Sequence, residues 1–378
     1  MDDYQRHQKI WKVLYALANR WICRSFNLTH EDLRVEGPVL LIPNHVCAWD
    51  PLLVAMSLRE KQVYYVASEH LFRLGLVSRI LNRLVAPIPR RKATTGTDTV
   101  KACLRHLRAG HSVCLFAEGE QTWTGRTGHI FPATGKLVKS SGATLVTFRT
   151  EGGYLSMPRW SKVRRRGAVH GHPVGIYPPD ALKTMSPSEI NALIERDISE
   201  DAWERQRKSP VAFRGKKLAE GLEHALYLCP RCKKIGTLKG RKDLFTCSCG
   251  FQVRYTETGF FDPETPFQEL AQWDDWQRKA LRERDFQHAG ELLFSDPDIR
   301  LTEVTADHEE TLLTTAELRQ LEDRLVCGDY SFAETEIENM ADVLSDKLLF
   351  RYQEQYYQLR SDGSPSLRKY LEIWKEKH

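Results

Sequence analysis

The chain has 378 residues, 41% of them hydrophobic and 28% charged, with a formal net charge of +5. That length asks for two or three domains, and the composition excludes collagen-like, low-complexity and disordered chains. No apolar run reaches the ~20 residues needed to cross a bilayer. The N-terminus, MDDYQRHQKIWKV, lacks the basic start, apolar stretch and small-residue site of a secretory signal. Any action on lipid is therefore expected from the membrane surface, at the cytoplasmic face and as a peripheral protein. The charge is also uneven. Residues 1–250 hold 40 Lys and Arg against 22 Asp and Glu, whereas 251–378 hold 15 against 28. A basic front part suits an anionic partner, membrane or nucleic acid.

In chain order, residues 4–26 read as a basic amphipathic helix. Ile10, Leu14, Leu17, Trp21 and Ile22 recur at helical spacing among Arg6, Lys9, Lys12, Arg20 and Arg24. Such a helix suits a lipid interface, or alternatively a face of its own domain. Val39 to Ile42 is a short apolar strand, and Asp50 with Pro51 marks a helix start, Asp50 as the cap. QVYYVAS predicts a strand and residues 71–85 a second apolar helix carrying arginines. HSVCLFAEG, ATLVTFR and GAVHGHPVGIY predict further strands. Short, almost wholly apolar strands alternating with helices indicate an α/β domain over 1–180 with a largely buried sheet. A basic helical connector is expected over 181–224, a cysteine-rich module over 225–255, and a C-terminal, mainly β, acidic domain over 256–378.

Chemistry concentrates in three places. In Asn44-His45-Val46-Cys47-Ala48-Trp49-Asp50, a histidine follows a strand and an aspartate lies five residues on. A histidine can take a hydroxyl proton as that oxygen attacks a thioester, and a carboxylate can fix its tautomer and stabilise the imidazolium. The bland alternative is a hydrogen-bonded turn histidine beside a helix cap. Val113 to Gly119 then delivers Glu118 and Gly119 at a strand end, where sites in α/β sheets gather. Gly119 lets backbone approach a ligand, and Glu118 is placed to accept from a glycerol hydroxyl. Pro89-Arg90-Arg91-Lys92 offers cations for phosphate. Cys47, two residues from His45, raises a thiol-nucleophile reading, but a cysteine and its histidine usually converge from separate segments.

The third place is Cys229-Pro230-Arg231-Cys232 followed by Cys247-Ser248-Cys249-Gly250. Two tight cysteine pairs separated by a hairpin-sized gap suit tetrahedral zinc, and an all-cysteine set leaves no open position for catalysis. The other five cysteines (Cys23, Cys47, Cys103, Cys114, Cys327) are scattered, which fits a metal site in a reducing compartment better than a disulfide framework. Lys233, Lys234, Lys239, Arg241 and Lys242 lie in and around the gap. A nucleic-acid-binding adaptor must therefore be weighed, but that reading leaves the His45 and Glu118 blocks without purpose.

The order of these blocks resembles the glycerolipid acyltransferase family of the lysophosphatidic acid acyltransferase type: N-H-x-x-x-x-D, an apolar segment ending in Ile-Pro-Arg, F-x-E-G, and a later apolar strand. The resemblance covers about residues 30–180. It implies a mixed sheet flanked by helices and preceded by a membrane-docking helical pair. It also implies transfer of an acyl group from acyl-CoA or acyl carrier protein to a lysophospholipid hydroxyl. By that resemblance His45 is the base and Asp50 its partner. Arg90 or Arg91, Glu118 and Gly119 bind the acceptor, with Asn44, Gln121 and Arg126 beside them. The family usually continues as E-G-T-R, whereas here the residues are Glu118-Gly119-Glu120-Gln121, with Arg126 five positions beyond Gln121. Thr147 stands about where the family often has a proline. These departures bear on the acceptor, and Gln121 also motivates a lipid-binding pseudoenzyme as a rival.

Overall fold

The computed structural model describes residues 3–68, 83–90, 96–263, 266–283, 290–305, 309–361 and 366–378. Most of the helix expected over 71–85 lies outside these residues, as do Arg91 and Lys92. The chain forms two compact units, Met1–Arg159 with Arg164–Arg214, and Trp160–Val163 with Gly215–His378.

The first unit opens with helix α1, Asp3–Phe26, which ends where Asn27 turns left-handed at φ 49°. Seven strands follow: β1 Leu28–His30, β2 Val39–Pro43, β3 Val63–Ser68, β4 Ile88–Arg90, β5 Ser112–Cys114, β6 Thr144–Glu151 and β7 Val169–Tyr177. They form one sheet in the order β1-β7-β6-β2-β5-β3-β4. β6 and β7 are antiparallel, and every other neighbouring pair is parallel. The sheet is thus mixed. Strands β2, β5, β3 and β4 also run the same way, so their carboxyl ends share one edge.

Burial on both faces explains the unbroken apolar strands. Along β2, Leu40 and Ile42 enter one core with Leu145, Val113 and Leu137, while Val39 and Leu41 enter another with Val54, Val146 and Phe148. Successive strand residues point to opposite faces, so a strand covered twice cannot alternate with polar residues. Helices α2 Asp50–Ala55, α3 Thr97–Arg108, α4 Ala133–Ser141, α5 Pro187–Ile198 and α6 Ala202–Lys208 belong to this unit. α5 starts on a capping box, with Ser186 and Glu189 each bonding the other's backbone amide. It buries Ile190, Ile194 and Ile198 completely against the sheet. Each such side chain contributes roughly 1.5–3 kcal/mol. The stretch 181–214, expected as a connector, is in this way part of the first unit, because its isoleucines at four-residue spacing complete that core.

In the second unit, β8 Leu238–Arg241, β9 Leu244–Cys247, β10 Gln252–Tyr255 and β11 Phe261–Asp262 make an antiparallel ribbon. Helix α7, Leu270–Arg282, sets Trp273 among the rings of Phe245, Phe251 and Phe261. A second antiparallel sheet then runs through β12 Leu292–Val304, β13 Glu310–Leu321, β14 Arg324–Cys327, β15 Tyr330–Ala333, β16 Ile337–Val343, β17 Lys347–Tyr352 and β18 Gln355–Ser361. Its order is β15-β14-β13-β12-β18-β17-β16. Helix α8, Arg368–Lys377, buries Tyr370, Leu371 and Ile373 with Ile299, Leu318, Phe350 and Leu359.

Candidate active site

The parallel strands deliver the chemistry to one edge of the sheet. His45 comes two residues after β2, Glu118 four residues after β5, and Arg90 is the last residue of β4. His45 Nδ1 lies 2.8 Å from Asp50 Oδ2, with Asp50 0% and His45 17% exposed. Asp50 Oδ2 also accepts the backbone amides of Val46 at 2.6 Å and Cys47 at 2.9 Å, and Oδ1 accepts the Cys47 thiol at 3.2 Å. This is a correction to the helix-start reading. α2 begins at Asp50 itself with Trp49 as its cap residue, and the carboxylate turns back to hold the loop instead of capping the helix. A buried carboxylate with this many donors needs no further partner, and it places the shared proton on Nδ1. Nε2 is then the basic ring nitrogen. The imidazole also stacks on Phe116, ring centroids 4.4 Å apart.

Glu118 fixes the same loop from the other side. Its Oε1 accepts the His45 amide and Oε2 the Gly128 amide, each at 2.6 Å. Burial pushes its carboxyl up to about 8, opposed by the hydrogen bonds from those two amides. The His45 carbonyl accepts the Thr122 amide at 3.0 Å, so the backbone of this loop is held through both the amide and the carbonyl of His45. Asn44 is fully buried. Its side-chain amide donates to Thr150 O at 3.0 Å and accepts from Thr150 N at 2.7 Å, tying the loop to β6. Asn44 and Glu118, expected at the acceptor, hydrogen-bond backbone groups in this structure, because buried backbone amides need partners.

Gly119 has φ 77°, and a Cβ there would come 2.4 Å from the Phe131 ring and 3.0 Å from the Arg90 guanidinium. Only glycine admits both neighbours. Arg90 lies over Phe131 at 4.6 Å, and burial lowers its pKa from the usual arginine value, with Glu120 opposing. Arg90 thus lies beside the Phe116-Ala117-Glu118-Gly119 turn. Arg126 instead reaches across the unit to Asp201, Nε 3.3 Å from Oδ2. Cys47 is buried, and burial together with the Asp50 carboxylate raises its thiol well above the usual range. A neutral thiol that donates to Asp50 is no nucleophile.

Residues 25–151 match the model of the Acyltransferase family. That segment is an acyltransferase domain. It contains all of the geometry just described except the Arg126 partner. Among solved structures the chain is similar to the 1-acyl-sn-glycerophosphate (LPA) acyltransferase PlsC from Thermotoga maritima, at 14% identity and a TM-score of 0.41. That match covers 50% of this chain and 78% of the other. Next to the acyltransferase domain's E-G-E-Q turn lies Arg159, which sequence reasoning missed. Its Nη1 sits 3.1 Å from Glu120 and donates to the Gln121 carbonyl at 2.9 Å, and its guanidinium covers the Trp123 ring at 4.4 Å. Nothing in the sequence connects an arginine 38 positions after Gln121 to that turn. Thr122 and Thr150 act through their backbones, which no side-chain motif announces.

In the second unit the Sγ atoms of Cys229, Cys232, Cys247 and Cys249 all lie within 4.8 Å of one another. Cys229 to Cys249 is 3.8 Å and Cys232 to Cys247 is 3.7 Å, far beyond a disulfide bond. Two tight turns present them. The first, after Cys229, has Lys233 left-handed at φ 59°, and the second has Gly250 at φ 85° with its amide on Cys247 O. The four sulfurs surround a space that one metal ion fits.

Among the described residues no helix is long and apolar enough to cross a membrane.

Proposed function

We propose that the chain is an O-acyltransferase that moves a fatty acyl group from acyl-CoA or acyl carrier protein to the free hydroxyl of a lysophospholipid, 1-acyl-glycerol-3-phosphate being the favoured acceptor. The observation that carries this reading is the His45–Asp50 pair at 2.8 Å inside the acyltransferase domain, with Nε2 left as the ring's basic atom. In the proposed reaction, Nε2 takes the acceptor's hydroxyl proton as the oxygen attacks the thioester carbonyl. The new C–O bond forms, the C–S bond breaks, and the imidazolium returns the proton to the leaving sulfur. Asp50 holds the tautomer and steadies the imidazolium. Asn44 and Glu118 act as positioning residues, through the contacts already described. Arg90, and Arg91 beyond the described residues, supply cationic charge for the acceptor phosphate, with Gly119, Gln121 and Arg126 forming the surrounding turn.

The membrane part of the reading rests on α1. Val13, Leu17 and Trp21, at four-residue steps, are 59%, 75% and 61% exposed. A stripe of that spacing on a basic helix suits insertion at the headgroup level of an anionic membrane, with the protein peripheral at the cytoplasmic face. For the second unit, the donor set favours zinc. A tetrahedron with Zn–S bonds of about 2.3 Å has sulfur edges of about 3.8 Å, and the observed pairs are 3.8 and 3.7 Å apart. Zinc with four thiolates has no open position, so its part is structural. Nucleic acid is not a favoured partner.

The test offers purified protein a panel of lyso-acceptors in mixed micelles, with labelled oleoyl-CoA or oleoyl-acyl carrier protein as donor. Transfer to a lysophospholipid is the expected result, and the preferred headgroup reports what the E-G-E-Q turn selects. No transfer from either donor to any acceptor contradicts the proposal and returns the lipid-binding reading.

A further inference from the structure

The first unit carries a solvent-open surface pocket of about 330 Å³, lined by none of the residues given roles above. Arg24, Ser25, Arg164, Arg165, Arg166 and Arg214 line it. Five of its six lining residues are arginines and none is acidic; Arg24, Arg164, Arg166 and Arg214 are exposed and Arg165 is buried. Each arrives there by a separate local cause. Arg24 occupies the last turn of α1, where a cation suits the helix dipole. Asn27 stitches that helix end to the next segment, through its side-chain amide on Gly167 O at 3.2 Å and its carbonyl on the Val169 amide at 3.2 Å. Arg165 is buried, with its amide on Ser156 O at 2.8 Å and its carbonyl accepting the Ser156 hydroxyl at 3.0 Å. Phe213 covers Gly167, where a Cβ would come within 2.1 Å of its ring.

The pairing of Arg166 with Arg214 is the feature that folding alone does not account for. Two backbone hydrogen bonds of 2.7 and 2.9 Å set these residues directly opposite one another. Like charges in that relation repel, although exposure of both side chains to solvent screens the repulsion. An anion bound among these arginines attracts each of them and offsets that repulsion. The arginine fork matches phosphate oxygens in pairs, and the cavity volume sits at the small end of ligand sites. That is room for a headgroup-sized ion.

We propose that this pocket binds a phosphate group. Arg164 lies over the Phe26 ring at 4.6 Å, Phe26 tilts against Trp49 with centroids 5.2 Å apart, and Trp49 immediately precedes Asp50. Through Arg24 the pocket lies at the end of the same helix that exposes Val13, Leu17 and Trp21. The phosphate comes from a lipid headgroup or from solution, and the inference stands apart from the acyl-transfer reading.

The experiment compares three full-length proteins: the parent, a pocket variant (Arg24→Gln, Arg166→Gln, Arg214→Gln) and a surface control. The control removes the same charge from one exposed face (Lys101→Gln, Arg105→Gln, Arg108→Gln). One arm measures binding to phosphatidylcholine vesicles doped with phosphatidate, the other binding of inorganic phosphate by calorimetry. The pocket variant is expected to bind about tenfold more weakly than the control in at least one arm, because several charge-assisted hydrogen bonds are removed. Loss on vesicles alone assigns the headgroup, and loss in the soluble arm as well assigns free phosphate. Equal behaviour of pocket variant and control, or no binding by the parent in either arm, overturns the proposal. If the triple variant melts early, the single Arg24→Gln and Arg214→Gln variants carry the same comparison.

Discussion

His45 has its partner five residues away, and that spacing works only because the intervening loop is tightly closed. The Asp50 carboxylate gathers the Val46 and Cys47 amides as well as Nδ1, so one side chain shapes the loop and orients the base. Asp50→Asn replaces an acceptor with an amide that must present an N–H to at least one of these donors. The expected loss is about 10²–10⁴ in kcat with little change in KM, measured in steady-state transfer assays. Glu118 gives a pH signature. Its carboxyl is raised from 4.5 to about 8 by burial. The folded state therefore holds a proton that the unfolded state has lost across that window, and stability falls as pH rises from about 5 to 8. Glu118→Gln cannot titrate, so its thermal midpoint is expected to be flatter over the same range, and an unchanged slope contradicts the assignment. At this scale the sequence made the His45–Asp50 pair legible, because both ends of the interaction lie in one short motif. It left Asn44 and Glu118 looking like acceptor ligands, because the amides they bind, at Thr150, His45 and Gly128, belong to strands and turns that meet only in the fold. Arg159 was invisible for the same reason.

Helix α1 shows how a pattern can be legible while its use stays divided. The helical periodicity was plain from sequence, but the apolar residues split between two faces. Tyr15, Ile22 and Phe26 are buried against Leu53, Met56 and Val169, and Trp11 Nε1 donates to Leu58 O at 2.8 Å. Val13, Leu17 and Trp21 face outward. The helix is thus anchored to its own domain by one face, and the face with Val13, Leu17 and Trp21 is exposed. Changing Val13, Leu17 and Trp21 to Ser is expected to release the protein from anionic vesicles in a sedimentation assay, with its thermal midpoint nearly unchanged. Retained sedimentation would remove α1 from the membrane account. In α5 the apolar positions serve only the core. Ile194→Ala is expected to cost about 2–5 kcal/mol in denaturant unfolding, since it opens a cavity in a region packed on all sides.

For the whole molecule, the sheet architecture of the first unit followed from its apolar strands, since strands buried on both faces must lie inside a helix-covered sheet. The extent of that unit was harder to see, because 181–214 carries ordinary amphipathic helices whose buried faces match a sheet far away in sequence. The four-cysteine cluster was legible from spacing alone, whereas the antiparallel sheet after it offered only scattered β-like segments. Metal bound by the cluster is expected to stabilise the second unit. A strong chelator is expected to lower the unfolding midpoint of the parent and to leave a Cys232→Ser, Cys249→Ser variant unaffected, with zinc content read by elemental analysis. The account as a whole turns on one reaction. Single-turnover transfer from labelled oleoyl-CoA or oleoyl-acyl carrier protein to lysophosphatidic acid, run with the parent and with His45→Ala, tests it most directly. Product formed by the parent and reduced at least about a hundredfold in the folded variant is the expected result. Equal product from both proteins, or none from the parent with either donor, contradicts it.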